Sequence, residues 1–191
     1  MTGSELLDTV ARMGFEKTLD ENEVYFYRAA NMALLQLTRI FPLYATFTVR
    51  HEDGESYFTD YDVEALRGDF RAFGDRPARL GSLLLAEGRD YTVDGSRLRL
   101  IRGRGAGDLE IRYYRRPRRF SADNLEEELD LPKDAEHLLP LLLASYLWID
   151  DRSDLATYYL GLYRTELAEA RRSRYAHAGG GYAVKNGWDR G

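Results

Sequence analysis

The feature that most constrains this fold is a pair of apolar segments within residues 134–172. The first segment, residues 138–149, is apolar on nearly every side, and a helix of that composition is buried on most of its surface. A polar break at residues 150–154 follows, in which Ser153 suits the N-cap of a second helix. The shared apolar face of that second helix consists of Leu155, Tyr159, Leu162 and Tyr163. So short a break predicts an αα-hairpin, which needs the rest of the chain, other copies of it, or both to cover its apolar faces.

Two further helices are predicted before residue 43. Residues 4–13 favour a short helix with Ser4 at its N-cap and Gly14 at its C-terminal end. Residues 20–40 favour a longer helix that Pro42 ends, because the residue before a proline disfavours helical angles. The apolar stripe of this longer helix is Val24, Tyr27, Ala30, Leu34, Leu37 and Phe41. Spacings of three and four residues predict that the stripe packs into a core.

The pattern changes to β structure over residues 44–120. Two Asp-Gly pairs, Asp53-Gly54 and Asp94-Gly95, predict hairpin turns between alternating segments. The predicted strands cover residues 45–50, 56–59, 70–73, 78–86, 90–93, 96–101 and 109–114. Short strands at close spacing predict a small antiparallel sandwich or barrel.

The predicted fold class is therefore α+β. A helical bundle, built from the N-terminal helices and the C-terminal αα-hairpin, carries an inserted antiparallel β module and ends in an extended tail. The predicted parts are residues 1–43 (N-terminal helices), 44–120 (β module), 121–136 (acidic linker), 137–172 (hairpin, in one bundle with 1–43) and 173–191 (flexible tail). The tail is rich in glycine, which favours disorder in isolation.

No catalytic, metal or cofactor-binding set is apparent. The chain has no cysteine, which excludes disulfides and thiolate sites, and its three histidines lack metal-ligand spacing. Glycine-rich residues 103–107 lie between two predicted strands, where a mobile hairpin tip is expected and not a dinucleotide loop. We predict neither an enzyme nor a cofactor. The polar N-terminus indicates no signal peptide, and the longest apolar run is shorter than the roughly 20 residues that span a bilayer.

Charge is distributed unevenly. Residues 97–119 hold nine arginines and two acids, a net charge of +7, whereas residues 121–136 hold seven acids and one lysine, a net charge of −6. Both runs could be solvated faces, or the basic strand edge of one copy could meet the acidic linker of the next. A third interpretation has arginines lining a channel for DNA phosphates. The overall net charge of −5 argues against a general nucleic-acid binder.

The candidate contact residues follow from these patterns. For contacts between subunits or with a partner ring, they are Arg115, Arg116, Arg118, Arg119, Glu126, Glu127 and Glu128, together with the aromatic residues Tyr175, Tyr182 and Trp188. For contacts with channel DNA or between loops, they are Arg102 and Arg104.

The order of these parts resembles phage head–tail connector proteins of the adaptor type. The likeness rests on the helix ending Ile40-Phe41-Pro42, the strand and proline of residues 111–117, the acidic residues 126–130, and the apolar hairpin pattern of residues 137–163. It covers about residues 20–172.

The resemblance implies a structural protein in the neck of a tailed virus, assembled in the host cytoplasm. Such adaptors are rings, commonly of twelve copies, bound to the portal protein and to a stopper or tail-completion protein. Packaged DNA passes through the lumen without sequence recognition, and candidate contacts then include the portal. Two alternatives stay open: a head-completion stopper or tail-completion protein, and a carbohydrate- or peptide-binding β module on a helical scaffold.

Overall fold

The structure, a computed structural model, describes residues 1–15, 23–54 and 56–178, with no side chain described at residues 76 and 173–178. Its helices are α1 (Gly3–Val10), α2 (Glu23–Ile40), α3 (Val63–Leu66), α4 (Leu138–Leu147) and α5 (Ser153–Ala178). Its strands are β1 (Leu43–His51), β2 (Phe58–Asp62), β3 (Phe70–Leu80), β4 (Leu83–Leu84), β5 (Tyr91–Asp94), β6 (Arg97–Ile101) and β7 (Gly107–Arg115). The fold is mixed α+β, as predicted.

Helix α1 begins at Gly3, earlier than the sequence predicted. Thr2, and not Ser4, is the N-cap: its hydroxyl accepts the Glu5 amide at 3.2 Å, and the Glu5 carboxylate accepts the Thr2 amide at 2.9 Å. This reciprocal pair satisfies two amides that the helix itself leaves open. A wider turn, Ala11–Phe15, follows, in which Gly14 adopts a φ of 103° that favours glycine.

Helices α4 and α5 pack against each other across a short connection, as the two apolar segments predict. Pro140 is the third residue of α4. An amide proton at this position would have no partner within the helix in any case, so the proline fits the first turn of α4. Helices α1 and α2 both pack on α4.

One hydrophobic core lies among the helices. It collects side chains from α1, α2, α4, α5 and the segment that joins β7 to α4, where Phe120, Leu131 and Ala135 are buried. The prediction for the α2 stripe is right for Ala30, Leu34, Leu37 and Phe41, which are buried. It is wrong for Val24, which is 83% exposed at the first turn of the helix.

A second core belongs to the β module. The strands form two antiparallel sheets, in the orders β1-β7-β3-β4 and β2-β6-β5, and both contribute to one buried cluster. The described strands do not close into a barrel, which removes one of the two predicted alternatives. The β5–β6 hairpin forms as predicted around Asp94-Gly95.

The first predicted hairpin is wrong. Strand β1 pairs along its whole length with β7, from Leu43 opposite Arg115 to His51 opposite Gly107. Strand β2 pairs with β6 in the other sheet. The Asp53-Gly54 signal therefore marks a connection between sheets, because a turn motif specifies local geometry and leaves the partner strand open.

Two other β predictions change. Residues 70–80 form one irregular strand, β3, and not two separate strands around Pro77. Residues 102–106 connect β6 to β7, which lie in different sheets, and Gly107 already belongs to β7, so the glycine-rich residues form no hairpin tip. Within the described residues, no helix is both long and apolar enough to cross a membrane.

Candidate interaction surfaces

A salt bridge joins the end of the β module to the acidic linker. The Arg115 guanidinium donates to both carboxylate oxygens of Asp130, at 2.5 and 2.7 Å, and the Arg118 amide donates to the same carboxylate at 2.8 Å. Arg115 thereby holds the pKa of the Asp130 carboxyl below its usual range. Both side chains are largely buried, so this bidentate salt bridge fixes the direction in which the chain leaves β7.

Several predicted contact residues are paired within the chain. Arg116 forms an ion pair with Glu64 at 3.1 Å, and Arg118 forms one with Glu127. The Glu126 carboxylate accepts the Ser4 hydroxyl at 2.5 Å. These contacts leave them with less capacity to bind another copy.

The remaining two charged candidates are open. Arg119 and Glu128 are exposed, and neither side chain has a hydrogen-bond or ion-pair partner among the residues described. The backbone of Glu128 forms a bridge to Thr2, so α1 holds the linker in place. Contacts of the charged candidates with other copies stay a prediction.

Arg104 lies inside a charged network of the β module. It forms an ion pair with Asp90 at 3.0 Å and donates to the Arg89 carbonyl at 2.8 Å. Asp90 is only 2% exposed and also accepts the Ala86 amide at 2.8 Å and the Arg89 guanidinium at 2.9 and 3.1 Å. Hydrogen bonds from Arg89, first of all, lower the pKa of Asp90 to about 2. Arg104 thus ties the loop after β6 to the loop before β5.

The glycine-rich loop is occupied by a carboxylate of the same chain. The amides of Gly103 and Gly105 each donate to Asp53 at 3.2 Å, and both glycines have positive φ. Successive amides in such a conformation make a concavity that attracts anions. Here Asp53 fills it. The neighbouring Arg102 side chain is exposed, and its amide donates to the Tyr57 carbonyl at 2.9 Å.

The aromatic candidates lie mostly outside the described residues. Tyr175 belongs to α5, but its side chain is not described, and Tyr182 and Trp188 fall after residue 178. Trp148, at the end of α4, is half-buried and packs on Phe15 with ring centroids 4.3 Å apart.

The histidines have separate surroundings. His51 is buried with its Nδ1 atom 2.7 Å from the Tyr61 hydroxyl, whereas His137 lies on the surface 3.9 Å from Glu166. No group of three or more histidine, aspartate or glutamate side chains in the described ranges could hold a metal ion.

One surface was missed by the sequence analysis. The outer face of α2 exposes Val24, Met32 and Leu35, at 83%, 54% and 44%, and the exposed Arg28 and Arg39 alternate with them. The sequence did contain the signal, since spacings of four, four, three and four residues trace one helical stripe. That stripe lies beside the buried one, to which the sequence pattern wrongly assigned Val24.

Comparison with known proteins gives one family. The model of the family described as SU10 adaptor protein matches residues 1–184. No curated protein matches the chain.

Proposed function

We propose, from the premise that this chain belongs to the SU10 adaptor protein family, that it forms the head–tail adaptor ring of a tailed phage. Membership makes it a structural phage adaptor protein and a virion component, in a family not known for enzymatic activity. The finer proposal is that copies of the chain form a ring, with about twelve subunits as implied by the sequence resemblance. The ring joins the portal to a stopper or tail-completion protein in the neck.

The observation that carries this proposal is the family match across both the helical and the β parts of the chain. An adaptor needs a rigid frame and at least two separate surfaces. The fold has one core among the helices and a second core between two sheets, joined by Arg115 and Asp130. Each core can therefore present its own surface to a different partner.

Repeated weak contacts between neighbouring copies would be enough to stabilise such a ring. In a closed ring each subunit contacts two neighbours, so a modest surface on each side suffices. We assign the open side chains Arg119 and Glu128, and the aromatic residues Tyr175, Tyr182 and Trp188, to contacts with a neighbour or the portal.

The lumen would face packaged DNA. Exposed arginines without a defined base-reading geometry bind phosphates independently of sequence. Arg102, whose side chain is exposed, and Arg104, which is half-buried and paired with Asp90, are the candidates for such a contact. A DNA contact at Arg102 would weaken steeply with salt.

The deciding experiment is electron cryomicroscopy of the purified full chain mixed with its portal protein, with native mass measurement of each sample. We expect a closed ring seated on the portal around the axial channel. A chain that stays monomeric and ignores the portal at high concentration would contradict the proposal. Density at the tail-facing end of a reconstructed neck, away from the portal, would assign the stopper or tail-completion role instead.

A further inference from the structure

We infer that the outer face of α2 binds the α4–α5 turn of a second copy. The inference rests on the proposed function, because it presumes that copies of the chain meet in an assembly. It specifies which two surfaces meet, and the chemistry that joins them.

The α2 face combines apolar area with free positive charge. Met32 and Leu35 lie at its centre, with Arg28 one turn before Met32 and Arg39 one turn after Leu35. Neither arginine has an ion-pair or hydrogen-bond partner in the part of the chain that the structure describes. A half-exposed Met–Leu pair between two unpaired cations fits a partner that is apolar at its centre and acidic around it.

The α4–α5 turn has that complementary composition. Ile149 is 59% exposed, and the exposed Asp150 and Asp151 follow it directly. Among the residues described, neither aspartate has a hydrogen-bond or ion-pair partner. The turn therefore presents an exposed apolar side chain and two adjacent exposed carboxylates together.

The two surfaces match in scale. Arg28 and Arg39 are eleven residues apart, which is about 16 Å along a helix. With Ile149 seated between Met32 and Leu35, each arginine lies one turn from the apolar contact. A guanidinium on a flexible stem reaches that far, so both cations can turn inward toward Asp150 and Asp151.

The turn of the same chain cannot make this contact. The Tyr25 hydroxyl and the Ile149 amide both donate to the Tyr146 carbonyl, each at 3.3 Å. The chain's own turn is thereby held at the first turn of α2, seven residues and about 10 Å before Met32 and ten residues and about 15 Å before Leu35. Only a second copy can place its turn on the Met32–Leu35 pair. Every copy carries both surfaces, so the contact can pass from copy to copy until a ring closes.

The test uses charge reversal on the full chain. One variant carries Arg28→Glu and Arg39→Glu, a second carries Asp150→Lys and Asp151→Lys, and a third carries all four changes. Sedimentation velocity gives the association constant of each, and circular dichroism verifies its fold. We expect either reversal alone to weaken self-association about tenfold or more, and the fourfold variant to recover most of it.

A control variant keeps the size of the charge change but moves it. Arg12 and Lys133 are exposed and have no partner among the described residues. Arg12→Glu with Lys133→Glu should associate like the original chain. Mixing the first two variants adds a second check. The first variant keeps an intact α4–α5 turn and the second keeps an intact α2 face, so the two can bind each other. A one-to-one complex that neither variant forms with itself would support the inference.

The inference would be overturned by reversal variants that associate like the original chain, or by a fourfold variant that does not recover. An original chain that never self-associates, with or without portal, would overturn it too. Binding of the original chain to immobilised portal is measured separately. A chain that binds portal but is insensitive to the reversals refutes this interface and leaves the proposed function standing.

Discussion

The helical core and the β module of this adaptor are stabilised by different interactions. Among the helices, the contacts are almost entirely apolar, and side chains from distant parts of the chain meet around α4. In the β module, an apolar core is also present, but its loops are fixed by carboxylates: Asp90 binds Arg89 and Arg104, and Asp53 binds the Gly103 and Gly105 amides.

Because of this difference, the two parts should respond differently to mutation and to pH. Apolar burial is insensitive to pH but responds strongly to lost volume. Loops that are held by ionised carboxylates lose these contacts in acid, and substitutions elsewhere on their surface should affect stability little. The helical part can therefore serve as a rigid frame, whereas the surface loops of the β module can change without loss of the fold. Variants in the two parts should therefore differ in stability and in their response to acid.

The largest effect is expected from Phe26→Ala in the helical core. Phe26 is buried, and its ring lies 5.6 Å from Tyr27 and 6.2 Å from Phe120 between centroids. We expect a loss of about 3–5 kcal/mol in the free energy of unfolding, measured by urea titration. Val24→Ala on the same helix is the control and should change it by less than about 0.5 kcal/mol. Equal effects would show that α2 is not packed as described.

Gly3→Ala tests how closely α1 meets the linker. A Cβ atom there would lie 2.4 Å from the Phe120 ring and 2.8 Å from the Leu125 carbonyl oxygen. Because backbone must shift, we expect a loss of about 1–3 kcal/mol. Gly161→Ala is the matched control, since a Cβ atom in that helix would meet nothing within 4 Å. It should stabilise the protein by about 0.5–1 kcal/mol. Effects of the same sign would contradict the packing of α1.

Asp130→Ala tests the salt bridge between the two parts. It leaves the largely buried Arg115 guanidinium without its carboxylate, and we expect a loss of about 1–3 kcal/mol in thermal or urea unfolding. Glu127→Ala removes the exposed pair with Arg118 and should cost less than about 1 kcal/mol. If both variants behave alike, the Arg115–Asp130 pair contributes no more than a surface ion pair.

Acid should loosen the β-module loop that Asp90 holds. The folded pKa of Asp90, about 2, lies below its unfolded value of about 3.9. The stability that this carboxylate supplies is therefore present above about pH 4 and is lost as the pH falls toward 2. Amide exchange followed by NMR should show the Ala86 amide, which binds Asp90, losing protection first. In Asp90→Asn this acid-dependent step should vanish; its persistence would assign it to other groups.

The smallest effect on stability is expected from removing residues 179–191. The last buried residue that the described part contributes to the helical core is Tyr163. The truncated chain should unfold within about 0.5 kcal/mol of the full chain but bind other copies or the portal more weakly. Unfolding calorimetry and portal binding measure the two quantities. A large loss of thermal stability in the monomer would instead place this segment in the core.

Local features of the fold could be predicted from the sequence. The α4–α5 pair could be predicted because a segment that is apolar on nearly every side has to be buried in the fold. The β5–β6 hairpin could be predicted because its turn and both strands lie within eleven residues. The pairing of β1 with β7 could not be predicted, since their partners are up to 72 residues apart. Turn motifs carry no information about so distant a neighbour.

The candidate contact residues show the same limit. Runs of arginine and acid reveal the sign of charge, but they do not reveal that Arg115 meets Asp130 or that Arg104 meets Asp90 within the chain. Helical periodicity identified the buried stripe of α2. Its exposed stripe follows helical spacing too, but spacing does not tell which of two neighbouring stripes is buried, because Met32 and Leu35 are as apolar as the residues of the core.

The register of β1 and β7 has a consequence for the history of such proteins. Leu43, where β1 begins, is paired with Arg115, where β7 ends. Paired residues of antiparallel strands lie about 5 Å apart, a gap that a turn of a few residues closes. The β module could thus be replaced by a short turn or by another module while the chain still joins the helices on either side. A phage could then change the β module of its adaptor in a single genetic step.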